Sequence, residues 1–193
     1  MQASLKALLK ELETFGRQHD AAFAERTGRM LNITPDTGEF LAVLTRSMGA
    51  TRILEVGTSN GYSTLWLADA AGEGGAVTTL ELAPEKAALA RANFARAGLQ
   101  ERIRLVEGEA GAFLAGCDSA SVDLLFLDSE RRAYAGWWPE LARVLRPGGL
   151  LVVDNAVSHA QELAPFMQAV REEAGWSTSL VPVGKGEFLA VKH

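Results

Sequence analysis

Three oxygen-bearing side chains fall at the ends of two apolar runs in the second half of this 193-residue chain. Ser121 to Asp128 (Ser-Val-Asp-Leu-Leu-Phe-Leu-Asp) is almost continuously apolar and ends in Asp128, and Leu150 to Val153 runs directly into Asp154-Asn155. Runs of this kind are central parallel strands, buried on both faces. In open α/β sheets, ligands bind at the carboxyl ends of such strands. Two carboxylates and an amide carbonyl at neighbouring strand ends are ligands for a hard divalent cation (Mg²⁺, Ca²⁺ or Mn²⁺), with water completing the shell. The plainer alternative is that Asp154 and Asn155 cap a turn while Asp128 faces solvent. Two further carboxylates sit in similar positions. Glu55 lies inside the run Ile53, Leu54, Val56, two residues before Gly57, and Glu81 ends the run Ala76 to Glu81, 26 residues after Glu55. An acid at the end of the second strand is where doubly wound folds accept hydrogen bonds from ribose hydroxyls. A carboxylate at Glu55 suits a ligand with a cationic or hydrogen-bond-donating group.

The elements that position these groups centre on residues 52–63, Arg-Ile-Leu-Glu-Val-Gly-Thr-Ser-Asn-Gly-Tyr-Ser. A branched apolar run breaks into a glycine-containing turn, and a helical pattern through Tyr62, Leu65, Trp66 and Ala70 follows. Strand, turn and helix form the opening unit of a doubly wound α/β domain. The glycines permit a tight turn and close approach of a ligand to the backbone. Their spacing is wrong for Gly-x-Gly-x-x-Gly, and there is no Gly-Lys-Ser/Thr ending, so phosphate cradling is not the natural reading.

Upstream, residues 3–26 read as an amphipathic helix with Leu5, Leu8, Leu9, Leu12 and Phe15 on one stripe and His19 in its last turns. The stripe must be buried on its own domain or on a second subunit. Residues 27–34 connect it to a second helix, for which Thr34 is a plausible N-cap and Pro35 the first residue; Phe40, Leu41, Leu44 and Met48 form its apolar face. Downstream, a helix starts at Pro84 and ends at Gly98. Ile103 to Val106 is a strand leading to Gly108-Glu109-Ala110. After the loop Ser129 to Tyr134, Pro139 sets the next helix start near Trp137, because proline is tolerated only in a first turn. Arg146-Pro147-Gly148-Gly149 stops that helix. Ser158 and Gln161 resemble a capping box, but Pro165 argues for a loop through about Glu162 and a helix from Leu163, with Phe166, Met167 and Val170 inward. This brings His159 and Glu162 near the strand ends. Trp176 to Val181 and Glu187 to Val191 are two strands joined by Pro182 to Gly186.

The turn with its preceding acid resembles motif I of class I S-adenosylmethionine-dependent methyltransferases, and Gly61-Tyr62-Ser63 is similar to the catechol O-methyltransferase-like group. The Asp128…Asp154-Asn155 trio and the Pro-Gly-Gly turn also resemble catechol and caffeoyl-coenzyme A O-methyltransferases (O-methyltransferase family 3). The resemblance spans nearly the whole chain and is strongest from Ile53 to Asn155. It implies a Rossmann-like, doubly wound seven-stranded sheet with one antiparallel strand. It also implies a single methyltransferase domain over 1–193, with residues 1–50 as an N-terminal helical cap and 51–193 as the core. Around S-adenosylmethionine it places Thr37, Glu55, Gly57, Ser59, Tyr62, Ser63, Glu81, Leu82, Glu109, Ala110 and Asp128. Metal ligation falls to Asp128, Asp154 and Asn155, and the catalytic group comprises Asp128, Arg131 and His159. The implied reaction is methyl transfer to a hydroxyl of a small phenolic or catechol-like molecule. One position departs from the pattern. Where metal-dependent members carry a lysine, three residues after the first aspartate, this chain has Arg131, whose guanidinium is too basic to act as a base at neutral pH. Arg131 with Arg132 also fits an acidic substrate. An S-adenosylmethionine-binding sensor without turnover is the main alternative. A nicotinamide-dependent oxidoreductase is weakened by the missing Gly-x-Gly-x-x-Gly.

Composition narrows the partners. Hydrophobic content of 48% and charged content of 22% are ordinary for a globular protein, and a net charge of −5 gives no electrostatic case for nucleic acid. No apolar stretch approaches the ~20 residues of a membrane span. The single cysteine, Cys117, excludes an intrachain disulfide and fits a reducing compartment. With no signal-peptide pattern at the N-terminus, the expectation is a cytoplasmic protein with a small-molecule partner, as a monomer or a homodimer.

Overall fold

The structure, a computed structural model, describes residues 1–25 and 28–193. Arg26 and Thr27, at the expected junction of the first helix and its connection, lie outside the described residues. The chain runs α1 (Ala3–Ala22), α2 (Pro35–Ser47), β1 (Arg52–Val56), α3 (Tyr62–Ala71), β2 (Ala76–Glu81), α4 (Pro84–Ala97), β3 (Ile103–Glu107), α5 (Ala110–Ala115), β4 (Val122–Leu127), α6 (Tyr134–Val144), β5 (Leu145–Val153), α7 (Ala160–Glu172), β6 (Trp176–Val181) and β7 (Glu187–Lys192). The strands form one seven-stranded sheet in the order β3-β2-β1-β4-β5-β7-β6. β7 runs antiparallel to both of its neighbours, β5 and β6, while β1 to β5 pair in parallel. The strand order reverses between β1 and β4, which opens a crevice at their carboxyl ends.

Alternation along the strands divides the core in two. Leu54, Val56, Leu125, Leu127, Leu151 and Val153 face α5, α6 and α7, through Leu114, Leu141, Leu163 and Phe166. Ile53, Leu124, Phe126, Leu150 and Val152 face the other layer, with Leu65, Phe94 and Leu41. The α1 stripe of Leu5, Leu8, Leu9 and Leu12 is buried in this second layer, so the chain covers it itself. α1 ends at Ala22, where Phe23 turns extended, rather than running on to residue 26. His19 stacks on Phe23 with ring centroids 4.3 Å apart. No helix among the described residues is long and apolar enough to cross a membrane.

Several expected boundaries move, most of them at prolines. α6 begins at Tyr134, not near Trp137, and contains Pro139; α7 begins at Ala160, not Leu163, and contains Pro165. Both prolines are exposed. Each ring therefore lies on the solvent side, and the carbonyl it leaves unbonded faces water, which lowers the cost of an interior proline. His159 occupies the N-cap of α7 with no side-chain cap, so Ser158 and Gln161 form no capping box. Thr34 occupies the N-cap of α2, but its hydroxyl donates to Thr37 Oγ1 at 3.1 Å instead of capping the backbone. Pro147-Gly148-Gly149 forms no helix-to-strand turn. β5 already starts at Leu145, and its register with β4 shifts between Val122 and Leu124.

The amino edge of the sheet is clamped by Asp123. Its carboxylate accepts from Arg52 Nη2 and Arg146 Nε, both at 2.7 Å, and from the amides of Thr51 (3.1 Å) and Arg52 (2.8 Å). Burial alone raises its pKa, but the Arg52 and Arg146 bonds and the two amides outweigh it and hold the carboxyl well below the usual range. A folded-state pKa below the unfolded value contributes stability that is present above about pH 4 and lost as pH falls. Asp123→Asn is expected to lower stability by about 2 kcal/mol at pH 7. It should also flatten the acid limb of a stability-versus-pH curve below about pH 4; urea titrations across that range check both.

Candidate functional site

The β1–α3 turn builds the first wall of the site. Gly57 has φ +108°, and a Cβ added there would meet the Asp128 carbonyl oxygen at 2.1 Å. The amides of Gly57 and Thr58 both donate to Leu80 O, at 3.0 and 3.1 Å, which ties the turn to the end of β2. Glu81 Oε2 accepts from the Ser59 amide at 2.7 Å; Oε1 accepts from the amides of Leu82 (3.0 Å) and Ala83 (2.9 Å). The connection before α2 forms the roof. Asp20 accepts from the amides of Met30 (2.6 Å) and Leu31 (2.9 Å), Ser59 Oγ donates to Met30 O at 2.6 Å, and Lys86 Nζ donates to Arg29 O at 2.7 Å. These parts enclose a cavity of about 280 Å³ lined by Gly57, Ser59, Tyr62, Ser63, Glu81 and Asp128 beneath Met30 to Ile33.

A second cavity, of about 240 Å³, adjoins it and shares Leu31 and Asp128 with the first; Ala24, Arg29, Arg131, Asn155, His159 and Lys185 complete its wall. Leu31 has φ +53°, in the left-handed region that leucine rarely adopts, so this backbone is held under strain where the two cavities meet.

Of the sequence-derived residues, Gly57, Ser59, Tyr62, Ser63, Glu81 and Asp128 come together around the first cavity, and Asp128, Arg131, Asn155 and His159 around the second. The others stand elsewhere. Glu55 does not present a carboxylate to a ligand. It is fully buried and accepts hydrogen bonds from Ser63 Oγ and Thr79 Oγ1, both at 2.6 Å, and from Thr64 Oγ1. Its strand position points it into the α3 layer, where these hydroxyls replace water. Thr37 lines neither cavity; it is buried, and its hydroxyl donates to Glu187 Oε1 at 3.1 Å. Glu109 is turned back on its own helix, where it caps α5 by accepting from the amides of Gly111 (2.9 Å) and Ala112 (2.7 Å). Leu82 is exposed, Ala110 is packed in the core, and neither lines the first cavity. Two residues with no sequence-derived role join the site. Lys185 lines the second cavity, and Glu187 is buried beside Asp154. The available signal was the direction of β7: an antiparallel strand starts at the edge where its parallel neighbours end.

Asp154 and Asn155 are buried, and Asn155 takes φ +68°, a left-handed conformation that asparagine tolerates. Asn155 Nδ2 donates to Asp128 Oδ1 at 3.0 Å and to Asp154 Oδ2 at 2.9 Å, so the amide bridges the two carboxylates. Burial, then the charge of Asp154, pushes the Asp128 carboxyl up; burial also raises Asp154, and burial with the Asp154 charge raises Glu187. Among the described residues no group of three or more His, Cys, Asp or Glu side chains is arranged to hold a metal ion. The Asp128, Asp154 and Asn155 set nevertheless fits a hard cation by donor chemistry. A partial positive charge already stands between two poorly solvated carboxylates, and turning the amide over puts a third oxygen there. Arg131 is buried, and its Nε donates to Glu162 Oε2 at 2.9 Å. Tyr134 Oη accepts from the Ser129 amide at 2.6 Å, fixing the loop after β4. Ser158 Oγ and His159 Nδ1 are 2.9 Å apart.

Sheet order, crevice and paired cavities define a doubly wound α/β protein whose candidate ligand site lies at the switch point. The sequence profile of the O-methyltransferase family matches residues 2–192, and the chain belongs to that family. A Mycobacterium avium protein named as an O-methyltransferase is 35% identical over 173 residues, covering 83% of this chain and 78% of the relative. A catechol O-methyltransferase of Mycobacterium tuberculosis is 39% identical over 128 residues, covering 65% of this chain and 57% of its own. The O-methyltransferase of Bacillus cereus, solved in complex with S-adenosylhomocysteine, superposes with a TM-score of 0.82 at 27% identity, covering 100% of this chain and 92% of that one.

Burial pushes the Glu55 carboxyl up to about 7 from an ordinary 4.5, against the three hydroxyl bonds that favour its charge. The folded protein therefore holds this proton where the unfolded chain has lost it, and stability falls as pH rises from 4.5 to 7. The Glu55→Gln variant should lose up to about 3 kcal/mol of that decline relative to wild type; the difference between their urea midpoints at pH 5 and pH 8 measures it.

Proposed function

We propose that this chain transfers the methyl group of S-adenosylmethionine to a hydroxyl of a small phenolic or catechol-like molecule. The observation that carries the reading is the pair of cavities meeting at Asp128 and Leu31. One has the strand-end glycine and strand-end acid of a nucleoside site, and the other has room for a single ring. The complex of the Bacillus cereus relative with S-adenosylhomocysteine supports the cofactor, and the catechol O-methyltransferase relative supports the acceptor class. Residues 1–50 then act as a cap, because Met30 to Ile33 roof the first cavity.

In this reading Glu81 accepts the ribose hydroxyls, and Gly57, Ser59 and Ser63 hold the methionine portion. The acceptor oxygen attacks the methyl carbon as the carbon–sulfur bond breaks. The bonding pair goes to sulfur, the sulfonium becomes the thioether of S-adenosylhomocysteine, and the hydroxyl proton leaves to His159, an imidazole being suited to that role near neutral pH. Holding oxygen, carbon and sulfur in line is the protein's main contribution. Asp128, Asp154 and Asn155 would hold a divalent cation, which when bound lowers the pKa of a hydroxyl. Arg131 accepts no proton; with Nε bonded to Glu162, it orients the α7 end against the second cavity.

The second reading, binding without turnover, draws on Arg131 standing where the related enzymes carry lysine. Calorimetric titration of S-adenosylmethionine into the metal-stripped protein is expected to show one site. Glu81→Ala should weaken binding about tenfold or more, the loss of charge-assisted hydrogen bonds. Unchanged affinity in that variant overturns the ribose assignment. Methylation of catechols from labelled cofactor, with and without Mg²⁺, separates the enzyme from the sensor.

A further inference from the structure

We propose that the second cavity is built for an acceptor that carries a carboxylate beside its hydroxylated ring, with Lys185 and Arg131 as the groups that bind the acid. The inference rests on the methyltransferase reading and specifies its substrate class.

The chain is acidic, with a net charge of −5, yet Arg29, Arg131 and Lys185 come from three separate segments to one wall of about 240 Å³. The acids facing them are Glu162, which occupies Arg131 Nε, and Asp128, with Asp154 close behind. Arg29 is already spent on the carbonyls of Phe23 (2.8 Å) and Ala24 (3.3 Å) and adds only its field. Among the described residues, no hydrogen bond or ion pair occupies the Lys185 ammonium, and Arg131 keeps the terminal nitrogens of its fork.

Lys185 also has a fixed base. The Gly184 amide donates to Asp36 Oδ2 at 3.0 Å, and Lys185 O accepts from the amides of Val157 (3.1 Å) and Ser158 (3.0 Å). The half-buried ammonium stands on a pinned turn at the cavity wall, where it feels the charges of Asp128 and Asp154 through space but forms no hydrogen bond with either. An anionic ligand gives it the direct contact that it lacks. The guanidinium fork offers a planar carboxylate a matching second contact. Asp128 and Leu31 line both cavities. An acid held by Lys185 and Arg131 therefore keeps the ring beside the wall shared with the first cavity.

The test is calorimetry on protein loaded with S-adenosylhomocysteine, using 3,4-dihydroxybenzoate and its neutral carboxamide as probes. Wild type is expected to bind the acid about tenfold or more tightly than the carboxamide, less so at high salt. Lys185→Met should bring the ratio of the two affinities near one, and Lys185→Arg should restore part of it. A carboxamide that binds as well as the acid overturns the proposal. So does a Lys185→Met variant that weakens both probes in parallel, the signature of a lysine that only balances Asp128 and Asp154. So does the absence of binding by either probe. Methyl transfer is measured separately: acid-selective binding without transfer contradicts the methyltransferase reading and leaves the anion site standing, whereas transfer confined to the carboxamide does the reverse.

Discussion

Everything at the site depends on how closely the ends of β1 and β4 approach. At Gly57 the Asp128 carbonyl occupies the space of a side chain, 2.1 Å from where a Cβ would lie. Any other residue forces the two strand ends apart, and φ of +108° adds a backbone penalty for it. The contact carries the turn over β2, where two amides share Leu80 O, and presents Ser59 to Glu81. It also places Asp128 where both cavities open. The meeting of the two cavities at Asp128 is therefore a consequence of backbone packing.

The same edge concentrates buried acids, and they are stabilised in two different ways. Glu55 is surrounded by hydroxyls of Ser63, Thr64 and Thr79. It knits β1, β2 and α3 together, and its role is to hold the turn. Asp128, Asp154 and Glu187 crowd one another, with an asparagine amide between the two aspartates. That cluster costs stability on its own and is the kind of local inconsistency that marks a functional site. Arg29, Arg131 and Lys185 line the second cavity beside this cluster.

The fold could be read from the chain because its signals are local. The runs Ile53 to Val56, Ala76 to Glu81 and Ser121 to Asp128 are short, branched and apolar, and each forms a strand here. The placement of Glu81 and Asp128 at one cavity wall is legible from strand ends alone. The failures have long-range causes. The strand position of Glu55 suits a ligand contact, but what it meets depends on hydroxyls 8, 9 and 24 residues away. Pro139 and Pro165 suggest later helix starts because sequence does not say which side of a helix meets water. Lys185 and Glu187 read in sequence only as turn and strand residues. Their importance comes from β7 entering the sheet in reverse, which returns the chain to the carboxyl edge.

The central claim is that Glu81 and the Gly57 turn form a ribose-reading nucleoside site. Its most direct measurement is the affinity of S-adenosylhomocysteine against its 2′,3′-dideoxy analogue, for wild type and for Glu81→Gln. The account predicts that wild type prefers the dihydroxy ligand by about tenfold or more and that the variant loses most of this preference. Equal binding of the two ligands by wild type, or a preference that survives in Glu81→Gln, would contradict it.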